Sequence, residues 1–181
     1  SGKSRFAERL AGRLAGEAPV LYVATALASD PEMAERIARH RADRPAHWQT
    51  VEAPRAVAAA VAAVRADPRP VVLLDCLTTL ASNWLMQHGI VEDAAVAAAV
   101  EADLERELEN LGRQAGSLIV VSNEVGMGIV PAYPLGRLFR DLSGRLHQSL
   151  ARRADAVYLM VAGLPVEVKA LAVGGELYDG D

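Results

Sequence analysis

Short runs with almost no polar residue constrain this chain more than any other feature: Val20-Leu21-Tyr22-Val23-Ala24, Val71-Val72-Leu73-Leu74 and Leu118-Ile119-Val120-Val121. A strand without polar alternation has to be covered on both faces, which is the situation of an inner strand in a parallel sheet. The residues between these runs repeat with helical spacing. Phe6, Leu10 and Leu14 fall on one face of a helix predicted over 5–15, which Gly16 closes. Further helices are predicted from Pro31, with Asp30 as N-cap, and over 57–66, 77–88, 93–111 and 135–153. Strands are predicted over 20–24, 71–75, 117–122 and 156–161, and 166–173 is a candidate fifth. Strand and helix in alternation imply one α/β domain over 1–181, a mostly parallel sheet with helices on both faces, and a terminal tail over 174–181. Such sheets bind ligands beyond the carboxyl ends of their strands.

The composition narrows the chemistry. With 181 residues the chain can bury a sizeable core, and at 4% aromatic residues that core is built from Ala, Val and Leu. A formal charge of −4 argues against nucleic-acid binding by bulk charge. The single Cys76 excludes an internal disulfide and a cysteine-based zinc site, and a reducing cytoplasm is the simplest setting. No stretch has the length and apolarity of a membrane span.

Residues with chemical potential cluster after the apolar runs. Ser1-Gly2-Lys3-Ser4 is the closing half of the phosphate loop G-x-x-x-x-G-K-[ST], followed at once by a helix. Backbone N–H groups at such a helix start bind phosphate, the lysine adds positive charge, and the serine hydroxyl ligates magnesium. Asp75 closes an apolar strand in the manner of a magnesium-holding carboxylate, although an aspartate there also serves as a helix cap. The segment from Arg36 to Trp48 crowds arginines around His40 and His47. A neutral imidazole can attack phosphorus and carry a phosphoramidate, with arginines stabilising the charge that develops. On composition alone the same segment reads first as a solvated, arginine-rich helix end with incidental histidines. Asn123-Glu124-Val125-Gly126-Met127-Gly128 follows the third run; Glu124 is a candidate base, metal-shell ligand or cap. Arg137, Arg140 and Arg145 fit surface salt bridges better than phosphate contacts. His88 and His147 read as structural, and Cys76 as core.

Taken together, these stretches resemble the bifunctional adenosylcobinamide kinase / adenosylcobinamide-phosphate guanylyltransferase family. The matching motifs are Ser-Gly-Lys-Ser at 1–4, Leu-Tyr-Val-Ala-Thr at 21–25 and Arg-Ile-x-x-His at 36–40. Arg-Pro-Ala-His-Trp at 44–48, Leu-Leu-Asp-Cys-Leu-Thr-Thr at 73–79 and Ser-Asn-Glu-Val-Gly-Met-Gly-Ile-Val-Pro at 122–131 also match, in the same order. The resemblance implies a P-loop, RecA-like fold assembled as a homotrimer. It implies phosphorylation of adenosylcobinamide by ATP or GTP, then transfer of GMP from GTP through a histidine to the corrinoid phosphate. It maps the GMP-carrying histidine to His40, with His47 second. Gly2, Lys3 and Ser4 would hold phosphates, with Lys3 catalytic; Thr25, Arg44, Pro45, Glu52 and Asp75 would contact the nucleotide, and Ser4 and Asp75 magnesium. Glu52 is the first choice for reading guanine, whose N1–H and N2–H one carboxylate can accept together. A protein that only guanylylates, or one that binds GTP in a regulatory role, shares most of these motifs. The family's phosphate loop begins with Gly-Gly after a strand, and both precede residue 1. Such a strand is central in these folds, so its omission from the sequence is expected rather than a true deletion.

Overall fold

A computed structural model describes residues 1–28, 31–42, 44–64, 68–88 and 93–173. The side chains of Met33, Arg36, His40 and Ala94 lie outside that description, as do Asp30 and the tail over 174–181 named above.

Four parallel strands make the main sheet: β1 (Val20–Ala24), β2 (Gln49–Glu52), β3 (Val71–Asp75) and β4 (Ser117–Val121), in spatial order β2-β1-β3-β4. Every β1 and β3 residue but the last is buried, as their unbroken apolar sequences require. The sheet divides two cores. One face takes Leu21, Val23, Val72 and Leu74, packed against α3 (Val57–Ala62), α4 (Leu77–Gln87), α5 (Ala94–Gln114) and α6 (Pro134–Arg153). Val100, Leu104, Leu108 and Leu111 of α5 recur at helical spacing and are almost fully buried. At about 1.5–3 kcal/mol for each large aliphatic side chain, this stripe is a principal source of stability. The opposite face takes Val20, Tyr22, Val71, Leu73 and Val121 under α1 (Lys3–Ala15), whose Ala7 and Ala11 let the helix lie close to the strands. The α/β fold expected from the sequence, with a parallel sheet between helical layers, is the fold observed.

The path of α1 fixes where the phosphate-loop residues go. Its C-terminal end connects to the start of β1 through residues 16–19 only. The helix has 13 residues, about 20 Å, and so runs back over the sheet antiparallel to the strands. Its first residues, Lys3 and Ser4, are thereby carried to the carboxyl ends of the strands. Asp93 caps α5, its side chain accepting from the Ala95 N–H at 2.8 Å.

Three predicted elements are corrected. The strand β2 was not expected, because Gln49-Thr50-Val51-Glu52 is an edge strand with little apolar content. The run predicted as a strand over 156–161 is β5 (Tyr158–Val161), and it does not join the parallel sheet. It pairs antiparallel with β6 (Leu164–Glu167) through Ala162 and Gly163. Both turn residues have positive φ, 50° and 83°, the backbone of a two-residue hairpin turn that reverses the chain at once. The candidate strand over 166–173 is instead the end of β6 followed by the short helix α7 (Val168–Leu171). The hairpin rests on α1 by an edge-on contact between Tyr158 and Phe6, 5.0 Å between ring centroids. The helix predicted over 57–66 ends at Ala62, and residues 65–67 lie outside the described residues.

Candidate active site

Parallel register lines up Glu52, Ala24, Asp75 and Val121 as one row across the carboxyl edge of the sheet. Side chains in such a row point to the same face, here the face covered by α1. Glu52 and Asp75 therefore stand two strand spacings apart, about 10 Å, at the end where Lys3 and Ser4 open α1. Gly2 precedes them with φ 85°, a left-handed backbone that glycine adopts without strain. It offers no capping side chain to the helix start. Amide hydrogens at such a start, together with the helix dipole, attract anionic oxygens.

The carboxylate of Asp75 is held by a neighbour on the next strand. The Tyr22 hydroxyl donates to Asp75 Oδ2 at 2.7 Å. Burial raises the Tyr22 pKa well above the ordinary phenol value, and the Asp75 charge and the hydrogen bond to it raise it further. The phenol is thus a fixed donor. Among the described residues, Asp75 Oδ1 has no hydrogen-bond partner. Above the Tyr22 ring lies Arg44, its guanidinium carbon 3.4 Å from the ring centroid. Arg44 Nη1 donates to Thr50 Oγ1 at 3.1 Å, while its Nε is buried without a partner among the described residues.

Thr25, just past β1, is fully buried. Its hydroxyl accepts from the Cys76 N–H at 2.8 Å and donates to the Cys76 carbonyl at 2.9 Å. Asn83 of α4 donates to the carbonyls of Thr25 and Pro54, both at 2.9 Å. Asn123 donates to Thr78 Oγ1 at 2.7 Å. These bonds tie the ends of β1, β3 and β4 to the start of α4, so the site edge is built as one piece.

The other predicted residues are more open. Glu52 is exposed and meets Arg41 Nη1 at 3.5 Å. Pro45 is exposed, its carbonyl accepting from the Trp48 N–H, and His47 is exposed in the turn before β2. His40 falls within α2 (Pro31–Ala42), and its side chain lies outside the described residues. Glu124 accepts from the Gly126 N–H at 2.7 Å and so shapes its own loop. Arg137 donates to the carbonyls of Pro131 and Ala132, while Arg140 and Arg145 pair with Asp141 and Glu101. Cys76 is buried, as expected.

Sequence reasoning missed Tyr22, which reads as one more apolar strand residue; only the register sets it diagonally behind Asp75. It also found no partner for His147. In the fold His147 Nε2 lies 2.6 Å from Ser122 Oγ, and Nδ1 lies 3.5 Å from Glu124 Oε2.

Magnesium was expected at Ser4 and Asp75. Among the described residues no group of three or more His, Cys, Asp or Glu could hold a metal ion. One carboxylate and one hydroxyl instead suit a magnesium ion that arrives on nucleotide phosphates and keeps several waters. No helix of the described residues is long and apolar enough to cross a membrane.

The chain has known relatives. Residues 1–168 match the family model described as cobinamide kinase / cobinamide phosphate guanyltransferase. The chain is 46% identical over 169 residues to the bifunctional adenosylcobalamin biosynthesis protein CobP of Pseudomonas aeruginosa, covering 93% of this chain and 92% of that protein. It is 42% identical over 175 residues to the bifunctional adenosylcobalamin biosynthesis protein CobU of Escherichia coli, covering 93% of this chain and 94% of that one. Against the protein of the same name from Salmonella typhimurium it is 43% identical over 176 residues, with the same coverage.

Proposed function

The chain belongs to the cobinamide kinase / cobinamide phosphate guanyltransferase family, and from that membership we propose that it carries out both reactions on adenosylcobinamide. In the first, the corrinoid's alcohol oxygen attacks the γ-phosphorus of ATP or GTP and a nucleoside diphosphate leaves. In the second, a His40 ring nitrogen attacks the α-phosphorus of GTP and pyrophosphate leaves. The corrinoid phosphate then displaces the imidazole, giving adenosylcobinamide-GDP and restoring His40.

What supports this reading is that α1, packed over the sheet, opens with Lys3 and Ser4 and that β3 ends in Asp75 on the face it covers. Lys3 and the first N–H groups of α1 would hold the phosphates and offset charge developing on the leaving group. Asp75 Oδ1 and Ser4 Oγ would orient magnesium, which neutralises phosphate charge when bound. Arg44, Pro45 and Thr25 would border the nucleotide, and Glu52 would accept from guanine. A homotrimer is part of the same proposal.

The test is product analysis. The protein is incubated with adenosylcobinamide, magnesium and GTP, with and without ATP. Chromatography should reveal adenosylcobinamide phosphate first and adenosylcobinamide-GDP after it. Guanylylation of supplied adenosylcobinamide phosphate without any phosphorylation of adenosylcobinamide would refute the kinase half.

A further inference from the structure

Tyr22 touches both sides of the site and has no part in the reaction scheme above. Its hydroxyl bonds Asp75 Oδ2 at 2.7 Å from one end, and the Arg44 guanidinium carbon lies over its ring, 3.4 Å from the centroid. Arg44 follows His40 by four residues and stands between α2 and β2. Among the described side chains of the helix that carries His40, only Ile37 is half-buried and the rest are exposed. Among the described residues, few points tie this segment to the sheet edge. Arg41 reaches Glu52 only across an exposed 3.5 Å pair, which solvent screens. Arg44, half-buried and stacked on a buried ring, is the firmer anchor. Its Thr50 bond adds direction, and its buried Nε has no partner among the described residues.

We propose that Tyr22 is a positioning residue for GMP transfer to histidine: its ring seats Arg44 and so the segment bearing His40, while its hydroxyl fixes the orientation of Asp75 toward the nucleotide. This rests on the guanylyltransferase reading above. The two halves of the side chain then have separable consequences. Losing the ring loosens Arg44 and lowers the rate of attack on a bound nucleotide, because misplacing a reacting group costs rate directly. Losing only the hydroxyl leaves Arg44 seated and frees the Asp75 carboxylate to rotate, which weakens nucleotide binding.

The experiment measures the rate at which the protein gains one GMP by intact mass, over a range of GTP concentrations in magnesium, for wild type, Tyr22→Phe and Tyr22→Leu. Tyr22→Leu is expected to lower the rate at saturating GTP tenfold or more. Tyr22→Phe is expected to hold that rate within threefold of wild type and raise the half-saturating GTP concentration about tenfold. The phenylalanine variant keeps every ring carbon, so thermal unfolding should find it folded. Loading by both variants at the wild-type rate and half-saturation would overturn the proposal. So would loss of rate and half-saturation in the same proportion in both variants, the mark of a merely structural residue. A wild-type protein that gains no GMP would instead overturn the guanylyltransferase reading, and this role for Tyr22 with it.

Discussion

The Thr25 hydroxyl and the Cys76 peptide hold each other from both sides, the Cys76 N–H donating to Oγ1 at 2.8 Å and Oγ1 donating to the Cys76 carbonyl at 2.9 Å. The clasp joins β1 to the start of α4 beside the backbone bond from the Thr25 N–H to the Asp75 carbonyl at 3.2 Å, and it is fully buried at Thr25. Thr25→Val keeps the shape and strips both bonds; the Cys76 N–H is stranded, while the Cys76 carbonyl still accepts from the Leu80 N–H at 3.1 Å. The expected loss is about 1–3 kcal/mol of unfolding free energy, the cost of one buried unsatisfied group. Thr25→Ser keeps the hydroxyl and should recover at least half of that loss. Urea denaturation of the three proteins checks the ordering.

Tyr22 predicts a pH dependence with a definite sign. Burial, then the Asp75 charge and hydrogen bond, raise its folded pKa above the ordinary phenol value. In the unfolded chain a tyrosine ionises near pH 10. Above about that pH the unfolded chain has given up a proton that the folded chain keeps, so stability falls as pH rises. The contribution is whole below the unfolded value and is lost toward the folded one. Denaturation of wild type and Tyr22→Phe between about pH 8 and pH 11 should therefore converge in stability above about pH 10. Parallel curves through that range would show that the phenol is not held protonated.

On the proposed reading, Lys3→Ala removes a positive charge from the transferring phosphates. A preorganised group of this kind is worth about 3–4 kcal/mol in the transition state, a few hundredfold in rate. Both phosphorylation and guanylylation should fall by that order, measured as kcat/KM for each reaction. Unchanged turnover in either reaction would remove Lys3 from it.

How far the sequence could be read depended on burial. The strands β1 and β3 were visible because inner parallel strands need apolar side chains on both faces, and α5 because its buried leucines recur at helical spacing. The equally apolar β4 was found as a strand but not as what it is among the described residues, a half-buried edge strand. The edge strand β2 has Gln49 and Glu52 at its ends and carries no such signal. The β5–β6 hairpin turns on the backbone of Ala162 and Gly163; a two-residue break between apolar runs was present in the sequence, but an alanine with positive φ is not what residue type announces. Within the proposed site, the motifs that single out Lys3, Ser4 and Asp75 are local in the sequence. The Tyr22–Asp75 bond spans 53 residues and exists only because the register of β1 on β3 puts the two side chains on one face. The same holds for Ser122 and His147, 25 residues apart and joined only by the packing of α6 beside β4.

The most direct test of the account is the intact mass of the protein after incubation with GTP and magnesium, without corrinoid, for wild type, His40→Ala and His47→Ala. The account predicts one added GMP on wild type and on His47→Ala, labile to acid and stable to base as a phosphoramidate is, and none on His40→Ala. An adduct that persists in His40→Ala, or no adduct on a wild-type protein that binds GTP, would contradict it.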